Sequence, residues 1–152
     1  MINLPPIKEP LVDLKGRFAG LMRPTWYAIL RAAASIRAGS YTPTVTALAN
    51  SSGVSGRVSQ YDDNGTHVTV FFSVGLTVTL AGTLTQVSVS LPIPSDFSLV
   101  SDANGSATVA TAANDDSAIV YADVANNYVV VGCIPLGNGG AVIYGSFRYV
   151  KR

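Results

Sequence analysis

The sequence predicts a mainly β protein: an antiparallel β-sandwich or jelly roll of about eight strands, preceded by an extended N-terminal arm and one α-helix. Three observations carry this expectation. Along most of the chain the hydrophobic period is two, clearest from His67 to Leu80, where Val68, Val70, Phe72, Val74, Leu76, Val78 and Leu80 share one parity. Thr69, Ser73, Thr77 and Thr79 fall on the other, as in a strand with one face toward a core. Polar turn clusters interrupt the alternating runs at short intervals, and helical spacing is confined to a stretch ending before Gly39.

Taken in order, residues 1 to 22 hold Pro5, Pro6 and Pro10 with Gly16 and Gly20. Prolines so placed remove amide donors and fix φ, which disfavours both helix and sheet, so this piece is expected to be extended or irregular. From Pro24 to Ala38 the pattern is helical. Proline suits the first helical position, Trp26, Ile29, Leu30 and Ala33 recur at helical spacing, and Gly39 ends the run, giving about four turns. Beyond it the expected strands are Tyr41 to Ala49, Val54 to Tyr61, His67 to Leu80, Leu84 to Leu91, Ser106 to Ala112, Ala118 to Asp123, Tyr128 to Ile134 and Ala141 to Val150. Turns are expected at Asn50 to Gly53, Asp62 to Gly65, Asp102 to Gly105, Asn114 to Asp116, Asn126-Asn127 and Gly137 to Gly140. Asp63-Asn64-Gly65 is a tight-hairpin signal. The organisation expected is a docking arm over residues 1–39, with its helix at about 24–38, and a β body over 40–152.

Charge divides the same way. The first 40 residues hold six of the ten Lys and Arg against Glu9 and Asp13, residues 41–147 hold Arg57 against seven acids, and Arg148, Lys151 and Arg152 follow. The blocks carry +4, −6 and +3, which make the net +1. Only 12% of residues are charged, about half of the usual ~25%, so the surface is kept wet by hydroxyls and amides or is covered by other subunits. No run reaches the roughly 18 apolar residues of a membrane span, and the opening residues lack a signal-peptide pattern. We therefore expect no membrane association and no secretion.

Catalytic chemistry is hard to assemble from these residues. The one histidine, His67, follows Asp62 and Asp63, an arrangement in which a base and an acidic orienter can be imagined, but a strand-end surface residue accounts for it as well. Asp115, Asp116 and Asp123 offer oxygen ligands for a weak calcium site, against the reading of solvated turn acids. Gly137-Asn138-Gly139-Gly140 lacks the Lys-Ser/Thr of a phosphate loop. Cys133 is alone, follows Val129-Val130-Val131-Gly132, and is expected in a buried strand. The expectation is no enzyme, no metal and no cofactor. Nucleic acid is not the expected partner either, because Lys8, Lys15, Arg17 and Arg23 are spread among apolar residues and do not cluster.

Several short motifs carry a resemblance. Leu4-Pro5-Pro6-Ile7 with Pro10-Leu11-Val12-Asp13, then a tryptophan helix around Trp26, open the chain. Tyr41-Thr42-Pro43-Thr44-Val45-Thr46, Gln60-Tyr61 before Val68-Thr69-Val70, Leu91-Pro92-Ile93-Pro94-Ser95-Asp96-Phe97 and Phe147-Arg148-Tyr149-Val150 follow along the body. In these the chain resembles small virion structural proteins of tailed bacteriophages, over almost its whole length. It departs where that pattern continues Thr69-Val70 with Ser-Gly, because this chain has Phe71-Phe72-Ser73. Two successive aromatics in a strand put one ring on each face, which makes Phe71 the candidate subunit contact.

The resemblance implies a homotrimeric structural protein of the virion, made in the bacterial host cytoplasm, of the tail-fibre, appendage or head-decoration kind. The leading expectation is a tail-associated appendage whose arm docks to other virion proteins through Pro5, Pro6, Ile7, Pro10, Leu11, Asp13, Trp26 and Tyr27. Trp26 is the first candidate anchor, since a large aromatic in an interface pocket can supply about 2–4 kcal/mol. A capsid decoration or cement protein is the alternative, separable by copy number. A module binding a host receptor or glycan is the third, using polar loops at one end of the body: Asp62, Asp63, Asn64, Asn104, Asp115, Asp116, Asn126 and Asn127. Only Tyr61, Tyr121 and Tyr128 lie close to those loops as platforms for sugar stacking.

Overall fold

The computed structural model describes residues 37–151, and the chain divides into two units after Ile36. The second unit is built from ten strands: β1 Arg37–Tyr41, β2 Val45–Ala49, β3 Ser51–Gly56, β4 Ser59–Asp63, β5 His67–Val78, β6 Thr85–Val89, β7 Ala103–Thr111, β8 Asp115–Asp123, β9 Tyr128–Cys133 and β10 Gly139–Val150. One 3-10 turn, Val100–Asp102, precedes β7. All ladders are antiparallel.

Several local expectations are corrected. The helix expected over 24–38 lies outside the described residues except at its end, where Arg37 and Ala38 belong to β1 and pair with Asp63 and Asp62. The β body thus starts at Arg37, not at residue 40. Asn104 and Gly105 were expected in a turn but lie inside β7, paired to both β8 and β10. Asp115 and Asp116 likewise begin β8, opposite Ala110 and Val109. Ladder pairing, two-sided for Asn104 and Gly105 and to β7 alone for Asp115 and Asp116, outweighs the local preference of Asn, Asp and Gly for turns. The expected strands Tyr41 to Ala49 and Val54 to Tyr61 each break in two, the first after Tyr41 and the second at Arg57-Val58.

Hydrogen bonds join the strands in one path, β1-β4-β5-β10-β7-β8-β9-β6-β2, with β3 beside β4 on the same edge of the long β5. Two separately bonded layers, as a sandwich has, are not seen. The sheet instead curls, and the core shows why. Val45 of β2 and Val54 of β3, which lie toward opposite ends of the path, pack on the same buried cluster as Val70, Val74, Val87, Val109, Val131 and Ile143. A single sheet can bury one face this completely only by turning that face inward on itself.

Two features make the curl possible. At Gly105 and Gly145 the β7–β10 backbones come so close that a Cβ on Gly145 would sit 2.3 Å from the Ser106 carbonyl oxygen, and one on Gly105 2.1 Å from that of Ser146. Only glycine fits there. Between β2 and β3 the chain turns at Asn50, whose left-handed φ of 48° is tolerated by this residue type. Its side chain accepts from Leu80 N at 2.9 Å and donates to the Leu80 carbonyl at 2.8 Å, while Ser51 Oγ donates to the Gln86 carbonyl at 3.0 Å. Side-chain bonds thus stitch the β2–β3 corner to the loop after β5 and to β6.

One end of the curled sheet is covered by residues 90–99. Tyr149, buried on β10, donates its hydroxyl to the Ile93 carbonyl at 2.7 Å and accepts from Ile93 N at 3.3 Å. Ser95 Oγ donates to the Val150 carbonyl at 2.6 Å, and Phe97 packs edge-on against Tyr149 with ring centroids 6.0 Å apart. The Pro92-Ile93-Pro94 motif thus serves as a lid on the core.

Candidate interaction site

On β5 the inward side chains are Val68, Val70, Phe72, Val74, Leu76 and Val78, so Phe71 points out. The adjacent rings do take opposite faces. Phe72 is buried against Phe147, with centroids 5.5 Å apart, whereas Phe71 is 51% exposed. Strand register sets what lies beside it. Phe71 stands opposite Gln60 of β4 and Ser146 of β10, Ser146 stands opposite Ser106 of β7, and Ser106 opposite Ile119 of β8. The neighbouring row runs Ser73, Tyr144, Thr108, Ser117.

These rows frame a groove of about 750 Å³ on the outer face. Phe71, Tyr144 at 46% exposure and Val58 at 74% stand around a floor of Ser73, Ser106, Ser117 and Ser146. No Asp, Glu, Lys or Arg lines it among the described residues. Tyr144 was missed in the sequence reading. The signal was available, since Ile143, Phe147 and Tyr149 share one parity of β10 and leave Tyr144 on the other.

The eight polar loop residues do not form one site. Asp62, Asp63, Asn64, Asn104, Asn126 and Asn127 lie near one end of the unit, where β4, β8 and β10 finish and β5, β7 and β9 begin. Asp115 and Asp116 are at the other end of β8, ~26 and ~23 Å from Asp123 at ~3.3 Å per residue. The calcium grouping of Asp115, Asp116 and Asp123 is therefore corrected, and no cluster of metal-ligating side chains occurs among the described residues.

Most of the eight are also committed to the fold. Asn64 Oδ1 accepts from the Thr66 and His67 amides at 3.2 and 2.8 Å and shapes the β4–β5 hairpin. Asn127, at a left-handed φ of 54°, accepts from Phe97 N at 2.8 Å and so ties down the lid. Asn126 donates to Asp123, and Asp116 accepts from Leu136 N at 2.9 Å. Asp63 is 2% exposed and accepts from Lys151 Nζ at 2.9 Å and from Gly65 N at 2.7 Å. The Lys151 hydrogen bond, helped by Gly65, holds its carboxyl below the usual range against the opposing effect of burial. Asp62, Asn104 and Asp115 are exposed.

The base-and-orienter arrangement at His67 does not form: its Nδ1 lies 3.0 Å from Thr66 Oγ1, while Asp63 turns to Lys151. Cys133 is buried on β9 as expected, and burial pushes its thiol up to about 11. The docking residues Pro5, Pro6, Ile7, Pro10, Leu11, Asp13, Trp26 and Tyr27 lie outside the described residues. Among the described residues no helix is long and apolar enough to cross a membrane. Against known proteins, no family model, no curated protein and no solved structure matches the chain.

Proposed function

We propose that this chain is a structural protein of a tailed-bacteriophage virion, a tail-associated appendage whose curled β unit packs against copies of itself through the Phe71–Tyr144 face. One observation carries the self-association: two aromatic rings, each about half exposed, flank an uncharged groove with a serine floor. Large apolar residues left together in water mark an interface, and aromatic anchors without nearby charge are what a subunit core uses. Closed symmetric packing would also shelter the edge of β1, which among the described residues pairs only with β4. The virion role comes from the resemblance in the Pro5-Pro6 to Asp13, Tyr41 to Thr46 and Leu91 to Phe97 motifs. Residues 1–36, with the apolar and proline-bearing stretch before Trp26, supply the attachment to other virion proteins.

Native mass by light scattering tests the self-association. The full chain is expected at the mass of three 15.8 kDa subunits, and the double substitution Phe71→Glu with Tyr144→Glu is expected to run as a folded monomer. A monomeric wild type, or an oligomer that survives both glutamates, would show that this face is not the contact.

A further inference from the structure

A second pair of aromatics lies on a different outer face, away from the Phe71 groove. In the β8–β9 ladder Tyr121 is opposite Val130 and Asp123 opposite Tyr128. Val120 and Ala122 point to the core, as do Val129 and Val131, so Tyr121 and Tyr128 both face outward. They are diagonal neighbours, a spacing of about 7 Å that long aromatic side chains bridge. Each is half-buried, with its hydroxyl held in place. Gln86 Nε2 donates to Tyr121 Oη at 2.7 Å, and Asn126 Nδ2 lies 3.4 Å from Tyr128 Oη.

Two shallow hollows flank these rings and share Leu48 as a common wall. One, of about 370 Å³, is lined by Gln86, Val100, Tyr121, Asp123, Val124 and Val130, and the other, of about 160 Å³, by Thr44, Thr46, Ser88, Ser90 and Tyr128. Asp123 is the only charged side chain lining either hollow among the described residues.

We propose that this tyrosine shelf binds a neutral oligosaccharide. Sugar rings present an apolar C–H face that stacks on an aromatic ring and an edge of hydroxyls that needs paired donors and acceptors. The shelf supplies both: the two tyrosine rings with Leu48, Val100 and Val124 for the apolar face, and Gln86 with the Thr44, Thr46 and Ser90 hydroxyls for the polar edge. Charge selects among polar ligands. Asp123, whose oxygens already accept from the Ala125 and Asn126 amides and from Asn126 Nδ2, leaves the shelf negative with no lining cation, which repels phosphates, sialylated glycans and nucleic acid but not neutral hydroxyls. Held rings also suit this ligand, because little rotamer freedom is lost on binding. The site thus lies beside the Asn126-Asn127 turn, but it is made by strand faces, not by the loop tips.

The test is a titration of the full, isotope-labelled chain with maltohexaose, cellohexaose and chitohexaose, read by amide shifts. At least one is expected to saturate with a Kd of about 1 mM or tighter and to shift amides between residues 121 and 128. Tyr121→Ala and Tyr128→Ala should each weaken it about 3- to 10-fold, Tyr121→Phe much less, and Phe71→Ala not at all. Leu48→Asp, at a surface position between the hollows, should abolish binding without touching either ring. Several results would overturn the proposal: no saturation by any of the three at about 10 mM, equal binding by the tyrosine-to-alanine and Leu48→Asp variants, or tighter binding of sialyllactose. A fall in native mass on Tyr121→Ala would overturn it too, by assigning the shelf to a second copy.

Discussion

Replacing Tyr149 by phenylalanine removes one oxygen atom and leaves the ring, which separates the hydrogen bonding of the lid from its packing. The hydroxyl holds the Ile93 backbone on both sides, giving a bond to its carbonyl at 2.7 Å and taking one from its amide at 3.3 Å. Tyr149 itself is buried, with Phe97 edge-on at 6.0 Å and Phe147 at 6.1 Å, and burial raises its phenol pKa, so the hydroxyl stays neutral and keeps its proton. A net neutral hydrogen bond is worth about 1 kcal/mol, and a partly buried group left without a partner costs about 1–3 kcal/mol. Ile93 is half-buried and water can reach part of it, so the expected loss is about 1–3 kcal/mol. For a unit of this size that corresponds to a fall of roughly 4–15 °C in Tm. Urea unfolding followed by circular dichroism measures it, with the slope m unchanged because the same surface is exposed. Amide exchange supplies the local readout: Ile93 should lose protection while Val74 and Val131 keep theirs. A loss below about 0.5 kcal/mol, with Ile93 still protected, would mean that ring packing alone holds the lid.

Two further outcomes follow from the same geometry. Because the Asp63 carboxyl titrates below its unfolded value of about 4, its contribution is complete above that pH and disappears as pH falls through the lower, folded value. Asp63→Asn should therefore cost about 1–2 kcal/mol at pH 7 and progressively less in acid, and a loss independent of pH would refute the Lys151 pairing as its source. Gly145→Ala should cost about 3 kcal/mol or more, since its Cβ meets Ser106 and Ala107 backbone, whereas Gly140→Ala, with nothing within 4 Å, should change stability by less than about 0.5 kcal/mol. Equal thermal stabilities of the two variants would contradict the close approach of β7 and β10.

How much of this was legible in the sequence depended on the range of the signal. The alternation in His67 to Leu80 marked β5 and its buried side almost to the residue, and the Phe71-Phe72 pair was read onto opposite faces because side-chain direction along a strand is a property of local backbone geometry. Turn residues were a weaker guide. Asp63-Asn64-Gly65 forms the hairpin expected of it, but Asn104-Gly105 and Asp115-Asp116 are drawn into strands by partners on neighbouring chain segments. The polar residues first assembled as loop candidates were separated for the same reason, with Asp116 holding the loop at Leu136 and Asn127 holding Phe97 far along the chain.

By itself, then, the sequence determined the β class of the unit, the buried parity of its longest strand and the burial of Cys133. Only the tertiary structure decided that β10 lies between β5 and β7, that β9 lies between β8 and β6, and that the sheet curls on itself. Those pairings place Tyr144 beside Phe71, and Tyr128 beside Tyr121 with Gln86. The reason is physical. Alternation is written into each residue's own backbone, whereas neighbours across a sheet are set by register between segments dozens of residues apart, and that register is chosen by how the whole core closes.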